Sequence, residues 1–248
     1  MIRVSDLHKS FGDQPVLRGV DLEIRDGETL VILGRSGSGK SVLVKHLLGL
    51  NVPDEGSILM DGDEVVGLSG SDLFRLRRRF GYLFQGAALF DSLTVGENVG
   101  LGLRENTKLS DAEITEIVSE RLRWVGMEGV EDKKPAELSG GMKKRVGLAR
   151  AIAMDPDVVI YDEPTTGLDP IMSDAIGDLI LDLKKRLKIT SVVVTHDMTS
   201  CFKIADRVAM LYEGKIIFNG NTDDLRRTDD AVVRQFIEGR SQGPIKVR

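Results

Sequence analysis

Short apolar runs and helix-period apolar stripes alternate along the chain. Near the N-terminus, Val20, Leu22 and Ile24 alternate with charged residues, and a polar turn then precedes the apolar run 29–33. A period of two predicts a strand with one face exposed, whereas an unbroken short apolar run predicts a strand buried on both faces. The sequence therefore predicts two consecutive strands, the second of them in the core.

Later segments repeat this alternation. The runs 158–161 and 191–194 are rich in β-branched residues, as strands covered on both faces are. Apolar residues at helical spacing occupy 114–125 and 176–187. Alternating strands and helices predict the α/β class. Between 86 and 155 the β-rich runs disappear, which predicts a helical insertion into the α/β core.

The composition argues against several classes of function. The chain has 248 residues, with 34 Lys and Arg against 39 Asp and Glu and a formal charge of −5, so it offers no general basic field for nucleic acid. Its one cysteine, Cys201, cannot form an internal disulfide, which suits a reducing compartment. No stretch approaches the ~18 apolar residues of a membrane span, so we expect a cytosolic chain that is soluble by itself.

A glycine-rich segment links the apolar run ending at Leu33 to a predicted helix beginning near Val42. It fits the G-x-x-x-x-G-K-[ST] pattern of a P-loop, both in its spacing and in the strand and helix around it. Its members are Gly34, Arg35, Ser36, Gly37, Ser38, Gly39, Lys40 and Ser41. Backbone N–H groups of such a loop surround a polyphosphate, the lysine reaches the β- and γ-phosphates, and the final hydroxyl binds Mg²⁺. We therefore predict a nucleoside triphosphate site in which Lys40 contacts phosphate and Ser41 contacts the metal.

Two adjacent acids follow the predicted strand 158–161. Asp162 falls where ligands bind in α/β sheets, at the carboxyl end of a buried strand, and is predicted to hold Mg²⁺. In an extended chain Glu163 would point to the opposite side, where it would orient and polarise the attacking water. Taken alone, the pair would be read as solvated acids, and the P-loop favours the catalytic interpretation.

A third motif, together with the first two, points to a single family. The segment 138–142 reads Leu-Ser-Gly-Gly-Met, precedes a helical stretch and lies upstream of the two acids. With the P-loop, this order resembles the ATP-binding cassette (ABC) ATPases over nearly the whole chain. The resemblance implies a P-loop NTPase fold with a RecA-like core, an antiparallel β subdomain and an α-helical subdomain. It also implies a homodimer around two ATPs, in which Ser139, Gly140 and Gly141 bind the γ-phosphate of the nucleotide held by the partner.

Four further positions match the family. Gln85 resembles the Q-loop residue, implied to touch Mg²⁺ or water and to relay to the membrane partner. Asp169 resembles the D-loop residue that connects the two sites, although alone it is a plausible helix N-cap before a proline. His196 resembles the switch histidine that contacts the γ-phosphate, and Phe11 occupies the position of an adenine-stacking tyrosine. The sequence departs from the pattern at Met142, where many members carry glutamine.

The resemblance also implies domain boundaries. Residues 1–85 and 156–220 are predicted to form the ATP-binding α/β core with its antiparallel portion at the N-terminus. Residues 86–155 are predicted to form the helical signature subdomain. Residues 221–248 are predicted to form a C-terminal helix and tail. Independently of the resemblance, the Gly and Pro breakers in 239–248 predict that this end is extended.

A finer resemblance concerns the cargo. The segments 138–145, 86–95 and 233–239 resemble the ATPase subunits of Mce-type (Mla) phospholipid transporters. That likeness implies an integral membrane permease as partner, with the segment after Gln85 facing its coupling helix. A lipid-binding Mce protein and a small regulatory subunit are further implied members of the assembly. The ATPase would then be peripheral, on the cytoplasmic face of the inner membrane.

Two other classes of function remain open at this point. The ATPase of a polar-solute importer would share every catalytic motif and differ only in its coupling surface. A non-transport family member acting on ribosomes or DNA usually has two cassettes, a coiled-coil insertion or zinc-binding cysteines, and this chain has one cassette and one cysteine. A switch that barely hydrolyses ATP is disfavoured by Glu163.

Overall fold

Strands and helices alternate through residues 1–246, which are the residues that this computed structural model describes. Val247 and Arg248 of the predicted tail lie outside them. The strands are β1 Ile2–Phe11, β2 Gln14–Ile24, β3 Thr29–Leu33, β4 Glu55–Met60, β5 Asp63–Glu64, β6 Phe80–Leu83, β7 Val158–Asp162, β8 Thr190–Thr195, β9 Arg207–Tyr212 and β10 Lys215–Gly220. The α-helices are α1 Lys40–Leu47, α2 Gly70–Arg78, α3 Val95–Asn106, α4 Asp111–Trp124, α5 Gly140–Ile152, α6 Pro170–Leu187, α7 Met198–Ile204, α8 Thr222–Arg227 and α9 Ala231–Ile237, with a 3₁₀ turn at Pro135–Glu137. The predicted α/β class is confirmed.

The chain divides into two compact units. The first unit comprises 1–76 together with the chain from Val192 onward, and the second comprises Arg77–Ser191. The domain boundaries inferred above from the resemblance stay a prediction.

The first unit contains an antiparallel sheet and a separate group of strands. The antiparallel sheet has the order β2-β1-β4-β5. In the other group β3 pairs in parallel with β9, and β9 pairs antiparallel with β10. Every residue of β3 is buried, as its unbroken apolar run predicts. The C-terminal end of this core strand is where the P-loop begins.

In the second unit, β6 and β7 pair in parallel and α3, α4 and α5 pack on one another. Residues 86–155 thus contain three α-helices, as the loss of β-rich runs predicts, and their insertion into the α/β core stays a prediction. The approach of β6 to α5 requires a glycine, since a Cβ at Gly81 would lie 2.1 Å from the Ala151 carbonyl oxygen. This close packing places the end of β6 beside α5, where the site residues of this unit are found.

Oxygen-bearing side chains set where the main helices begin. Thr94 and Ser110 form capping boxes with the glutamates three residues later, which start α3 and α4. Asp169 accepts hydrogen bonds from the backbone N–H groups of Ile171 and Met172 at 3.0 Å each, so its predicted capping role is confirmed. Within residues 1–246 we find no helix with both the length and the apolar character needed to cross a bilayer.

Candidate functional site

The P-loop connects β3 directly to α1 in the first unit. Gly37 and Gly39 have φ angles of 79° and 103°, which favour glycine because they lie in the left-handed region. At Gly34 a Cβ would lie 2.5 Å from the Leu211 carbonyl oxygen and 2.6 Å from the Ser38 hydroxyl oxygen, so no larger residue fits. The glycines of the motif are therefore required by the backbone conformation and by close contacts within the loop's surroundings.

Lys40 places a buried positive charge at this loop. Its side chain is only 7% exposed, and Nζ donates hydrogen bonds to the carbonyl oxygens of Gly34 at 2.7 Å and Arg35 at 2.9 Å. Gly39 caps α1 without a side-chain hydrogen bond, so the helix begins with backbone N–H groups as its donors. A helix N-terminus beside a fixed ammonium is an arrangement suited to phosphate.

Two serines of the loop contribute hydroxyl groups. Ser38 Oγ is buried and has no hydrogen-bond partner among the described residues, and Ser41 is exposed. An orphaned buried hydroxyl is expensive unless a ligand satisfies it. The segment 34–41 thus brings together a helix N-terminus, a buried ammonium and an unpartnered hydroxyl.

The described part of the C-terminal tail lies beside this loop. Gln235 donates from Nε2 to the Ile245 carbonyl oxygen at 3.0 Å, and its Oε1 accepts from the Ile245 N–H at 2.6 Å. Arg35 in turn donates to the carbonyl oxygen of Lys246 at 3.0 Å. An open cavity of about 570 Å³ is lined by 35–38, Tyr212, Glu213, Pro244 and Lys246. The expectation of an extended tail is wrong up to Lys246, because the amide of Gln235 folds it back.

Two other predicted residues of the first unit stand at strand ends. Phe11 ends β1 with 52% of its surface exposed, and the Nζ of Lys9 lies 5.7 Å from the centre of its ring. His196 follows β8 directly and is exposed. Both positions leave the aromatic or imidazole ring accessible, as ligand contact would require.

In the second unit, Asp162 ends β7 and accepts a hydrogen bond from a tyrosine that the sequence reasoning missed. Tyr82 on β6 donates its hydroxyl to Asp162 Oδ2 at 2.9 Å. Burial, the charge of Asp162 and this hydrogen bond all raise the pKa of Tyr82 above its usual range. The phenol therefore stays protonated and orients the carboxylate.

Glu163 departs from the extended backbone expected for it. Its φ is 49°, in the left-handed region that disfavours non-glycine residues. Thr166 fixes the residue twice, because its hydroxyl donates to Glu163 Oε2 at 3.0 Å and its N–H to the Glu163 carbonyl oxygen at 3.3 Å. The backbone therefore turns at Glu163 instead of continuing as an extended strand.

The segment 138–142 forms the predicted second helix N-terminus. Ser139 precedes α5, and its Oγ accepts a hydrogen bond from the Met142 N–H at 3.3 Å. Ser139 and Gly140 are exposed while Gly141 is buried, where a Cβ would lie 2.5 Å from the Met172 methyl. The helix therefore presents exposed backbone donors, and Met142 takes part through its backbone N–H.

Gln85 follows β6 and is exposed. Its carbonyl oxygen accepts a hydrogen bond from Lys144 Nζ, which also donates to the Glu163 carbonyl oxygen at 3.1 Å. Lys144 therefore brings the backbones of Gln85 and Glu163 together. From the sequence, Lys144 was placed only in the segment 138–145, by its resemblance to the Mce-type ATPases, and this contact was missed.

Comparison with known families decides the identity. The ABC transporter family matches residues 17–166, more than half of the chain. The chain belongs to the ABC transporter family. The predictions of an ABC ATPase fold and of ATP hydrolysis are thereby confirmed, and ATP is the nucleotide that ABC cassettes bind.

Three known proteins show how far the similarity to other ABC proteins extends. The chain is 43% identical over 244 residues to "Probable ribonucleotide transport ATP-binding protein mkl" of Mycobacterium leprae, covering 98% of this chain and 70% of that protein. It is 40% identical over 248 residues to "Intermembrane phospholipid transport system ATP-binding protein MlaF" of Haemophilus influenzae, covering 100% and 94%. A solved dimeric ATP-binding cassette in a post-hydrolysis state with ADP and Pi is 32% identical, with a TM-score of 0.82 over 89% of this chain and 98% of that one.

Proposed function

We propose that this ABC ATPase drives a membrane permease that moves phospholipid across the bacterial envelope, in an assembly of the Mce (Mla) type. The observation that carries the proposal is the 40% identity to a phospholipid transport ATPase, which extends over 100% of this chain. The family itself supports the general plan of two cassettes acting with a membrane permease. The cassette is then peripheral, on the cytoplasmic face of the inner membrane.

In the first unit, the proposed nucleotide contacts follow the loop. The residues 34–41 surround the phosphates, and Lys40 supplies the cation closest to them. Phe11 stacks on the adenine, and His196 contacts the γ-phosphate. The buried Lys40 ammonium and the orphaned Ser38 hydroxyl support this part of the proposal.

In the second unit, the proposed roles divide between the two acids and the exposed helix N-terminus. Glu163 orients and polarises the attacking water, and Gln85 contacts that water or the metal. Ser139, Gly140 and Gly141 bind the γ-phosphate held by the partner in the homodimer. Asp169 connects the two sites, and its exposed position at the start of α6 supports this.

Mg²⁺ is the proposed metal, with oxygen ligands from Ser41, Gln85 and Asp162. Hydroxyl, amide and carboxylate oxygens suit Mg²⁺, which typically takes only one or two carboxylates and completes its shell with phosphate and water. Among residues 1–246 we find no cluster of three or more His, Cys, Asp or Glu side chains arranged to hold a metal ion. When bound, the ion neutralises phosphate charge that develops during hydrolysis.

Tyr82→Phe tests the metal assignment. Removing the phenol leaves Asp162 without the donor at 2.9 Å that orients its carboxylate. Loss of such a partner typically weakens metal affinity by about 10- to 100-fold, so the Mg²⁺ concentration for half-maximal ATPase activity should rise by about tenfold. Titrating Mg²⁺ at saturating ATP measures this, with Asp162→Asn as the reference for loss of the ligand. An unchanged Mg²⁺ requirement would argue against Asp162 as a metal ligand.

The substrate assignment is tested on the intact assembly. A tagged chain should isolate a permease with an Mce protein and, where the assembly has one, a small regulatory subunit. Mass spectrometry should find phospholipid in that complex, and phospholipid vesicles should show ATP-dependent lipid transfer that the Lys40→Ala complex lacks.

The same preparation separates the alternatives. ATPase activity stimulated by a polar solute, with no lipid transfer, would favour the ATPase of a polar-solute importer. A ribonucleotide is one solute to test, because the mkl relative is named for ribonucleotide transport. Isolation with ribosomes and without a permease would favour a non-transport ABC protein. Either outcome leaves the ATPase chemistry intact and removes the lipid assignment.

A further inference from the structure

Lys144 is a buried cation with no part in the function proposed so far. It lies on α5 with only 5% of its surface exposed. Burying an ammonium is costly unless hydrogen bonds or charges compensate for the lost water. Its Nζ meets this requirement by donating to the backbone carbonyls of Gln85 and Glu163.

The two carbonyls belong to segments that lack regular structure. Gln85 lies just after β6, and Glu163 follows β7 with a left-handed φ of 49°. Such a conformation persists only where surrounding contacts fix it. Lys144 and the Thr166 N–H both donate to the Glu163 carbonyl oxygen, so they hold the peptide in place.

Charge also favours a cation at this position. Burial lowers the pKa of Lys144, and the charges of Glu163 and Asp162 act against that lowering. An apolar side chain would fill the space but could not donate a hydrogen bond to either carbonyl oxygen. A glutamine would supply two N–H donors without a charge.

We propose that Lys144 is a positioning residue, which fixes the backbone of Gln85 relative to that of Glu163 and so sets the place of the attacking water. The inference rests on the proposed role of Glu163 as the group that polarises water. Ser139 caps the same helix, so Lys144 also links the phosphate-binding end of α5 to the hydrolytic glutamate. Both carbonyls are therefore tied to this helix through one side chain.

The test compares Lys144→Met with Lys144→Gln in the full chain. We expect kcat for ATP hydrolysis to fall by about tenfold or more in Lys144→Met, because misplacement of the water-orienting groups raises the barrier. KM and the Kd of a fluorescent ATP analogue should stay within about twofold, since Lys144 bonds only the backbone carbonyls of Gln85 and Glu163 and no residue of the P-loop. Lys144→Gln should recover a substantial part of kcat through its two donors.

Arg145→Met is the matched control. Arg145 is the next residue on α5, and its guanidinium donates to the Val125 carbonyl oxygen at 3.0 Å, away from Gln85 and Glu163. This variant loses a cation-to-carbonyl contact on the same helix, yet its kcat per folded protein should match the wild type. Amide hydrogen exchange should increase in the peptides around Gln85 and Glu163 in Lys144→Met only.

The outcomes separate this proposal from the function on which it depends. Wild-type kcat in Lys144→Met would overturn the positioning role even if Glu163→Gln is inactive. Turnover retained by Glu163→Gln would instead remove the proposed base. Equal loss of kcat and thermal stability in all three variants, with no recovery in Lys144→Gln, would mean that Lys144 only supports the fold.

Discussion

Glu163→Gln is expected to abolish steady-state ATP hydrolysis while ATP binding persists. A positioned base typically contributes about 10²- to 10⁴-fold to a rate, so turnover should fall by at least about 100-fold. The substitution keeps the size of the side chain, and the amide oxygen still accepts the hydrogen bond that Thr166 donates at 3.0 Å. Phosphate release measures turnover, and equilibrium binding of a fluorescent ATP analogue measures affinity.

The same variant should accumulate as an ATP-bound dimer. If hydrolysis opens the dimer, a chain that binds ATP and cannot hydrolyse it remains closed, and light scattering should show twice the monomer mass only with ATP. Glu116→Gln is the matched control, because Glu116 is an exposed glutamate on α4. It should hydrolyse ATP at the wild-type rate. Wild-type turnover by Glu163→Gln would contradict the assignment of the base.

Features encoded in a few consecutive residues were predictable from the sequence. The P-loop is one of these, because its glycines serve positive φ angles and close backbone approaches within the loop itself. The helix starts at Ser139 and Asp169 are others, since an N-cap oxygen bonds N–H groups only two or three residues away. Buried strands such as β3 were equally readable from their apolar runs.

Contacts between distant parts of the chain were not predictable in this way. The hydrogen bond from Tyr82 to Asp162 joins residues 80 positions apart, and that from Lys144 to Gln85 spans 59 positions. Without the fold, Tyr82 is a strand aromatic and Lys144 belongs to a charged helix face. A tyrosine or lysine can be recognised as a partner of a site residue only once it is known which strands and helices lie side by side.

Two expectations failed because a neighbour overrode a local rule. The strand pattern predicted an extended backbone through Glu163, but Glu163 takes a left-handed φ of 49°, and Thr166 holds that turn. Gly and Pro breakers predicted an extended tail, but Gln235 supplies an amide that pairs with both backbone groups of Ile245. In each case other groups satisfy backbone atoms that water would otherwise bind: the Thr166 N–H and the Lys144 side chain at Glu163, and the Gln235 amide at Ile245.

Lys40→Ala is expected to remove most of the affinity for ATP. Truncating one partner of a buried, charge-assisted contact typically costs about 2–5 kcal/mol, which corresponds to a rise in Kd of at least about 30-fold. Lys40 is only 7% exposed, and its ammonium is held at the P-loop by the carbonyl oxygens of Gly34 and Arg35. No other side chain of the loop supplies a compact cation there, since Arg35 is exposed and bonds the carbonyl oxygen of Lys246.

Thermal unfolding with and without ATP distinguishes lost binding from lost folding. A ligand that binds only the folded state raises Tm as its concentration exceeds Kd, so ATP should raise the Tm of the wild type and leave that of Lys40→Ala nearly unchanged. Lys45→Ala, which removes an exposed lysine from the same helix, should keep the full ATP-dependent rise. An equal rise for Lys40→Ala and the wild type would show that the phosphates lie elsewhere, because the charge buried at this loop would then have no part in holding them.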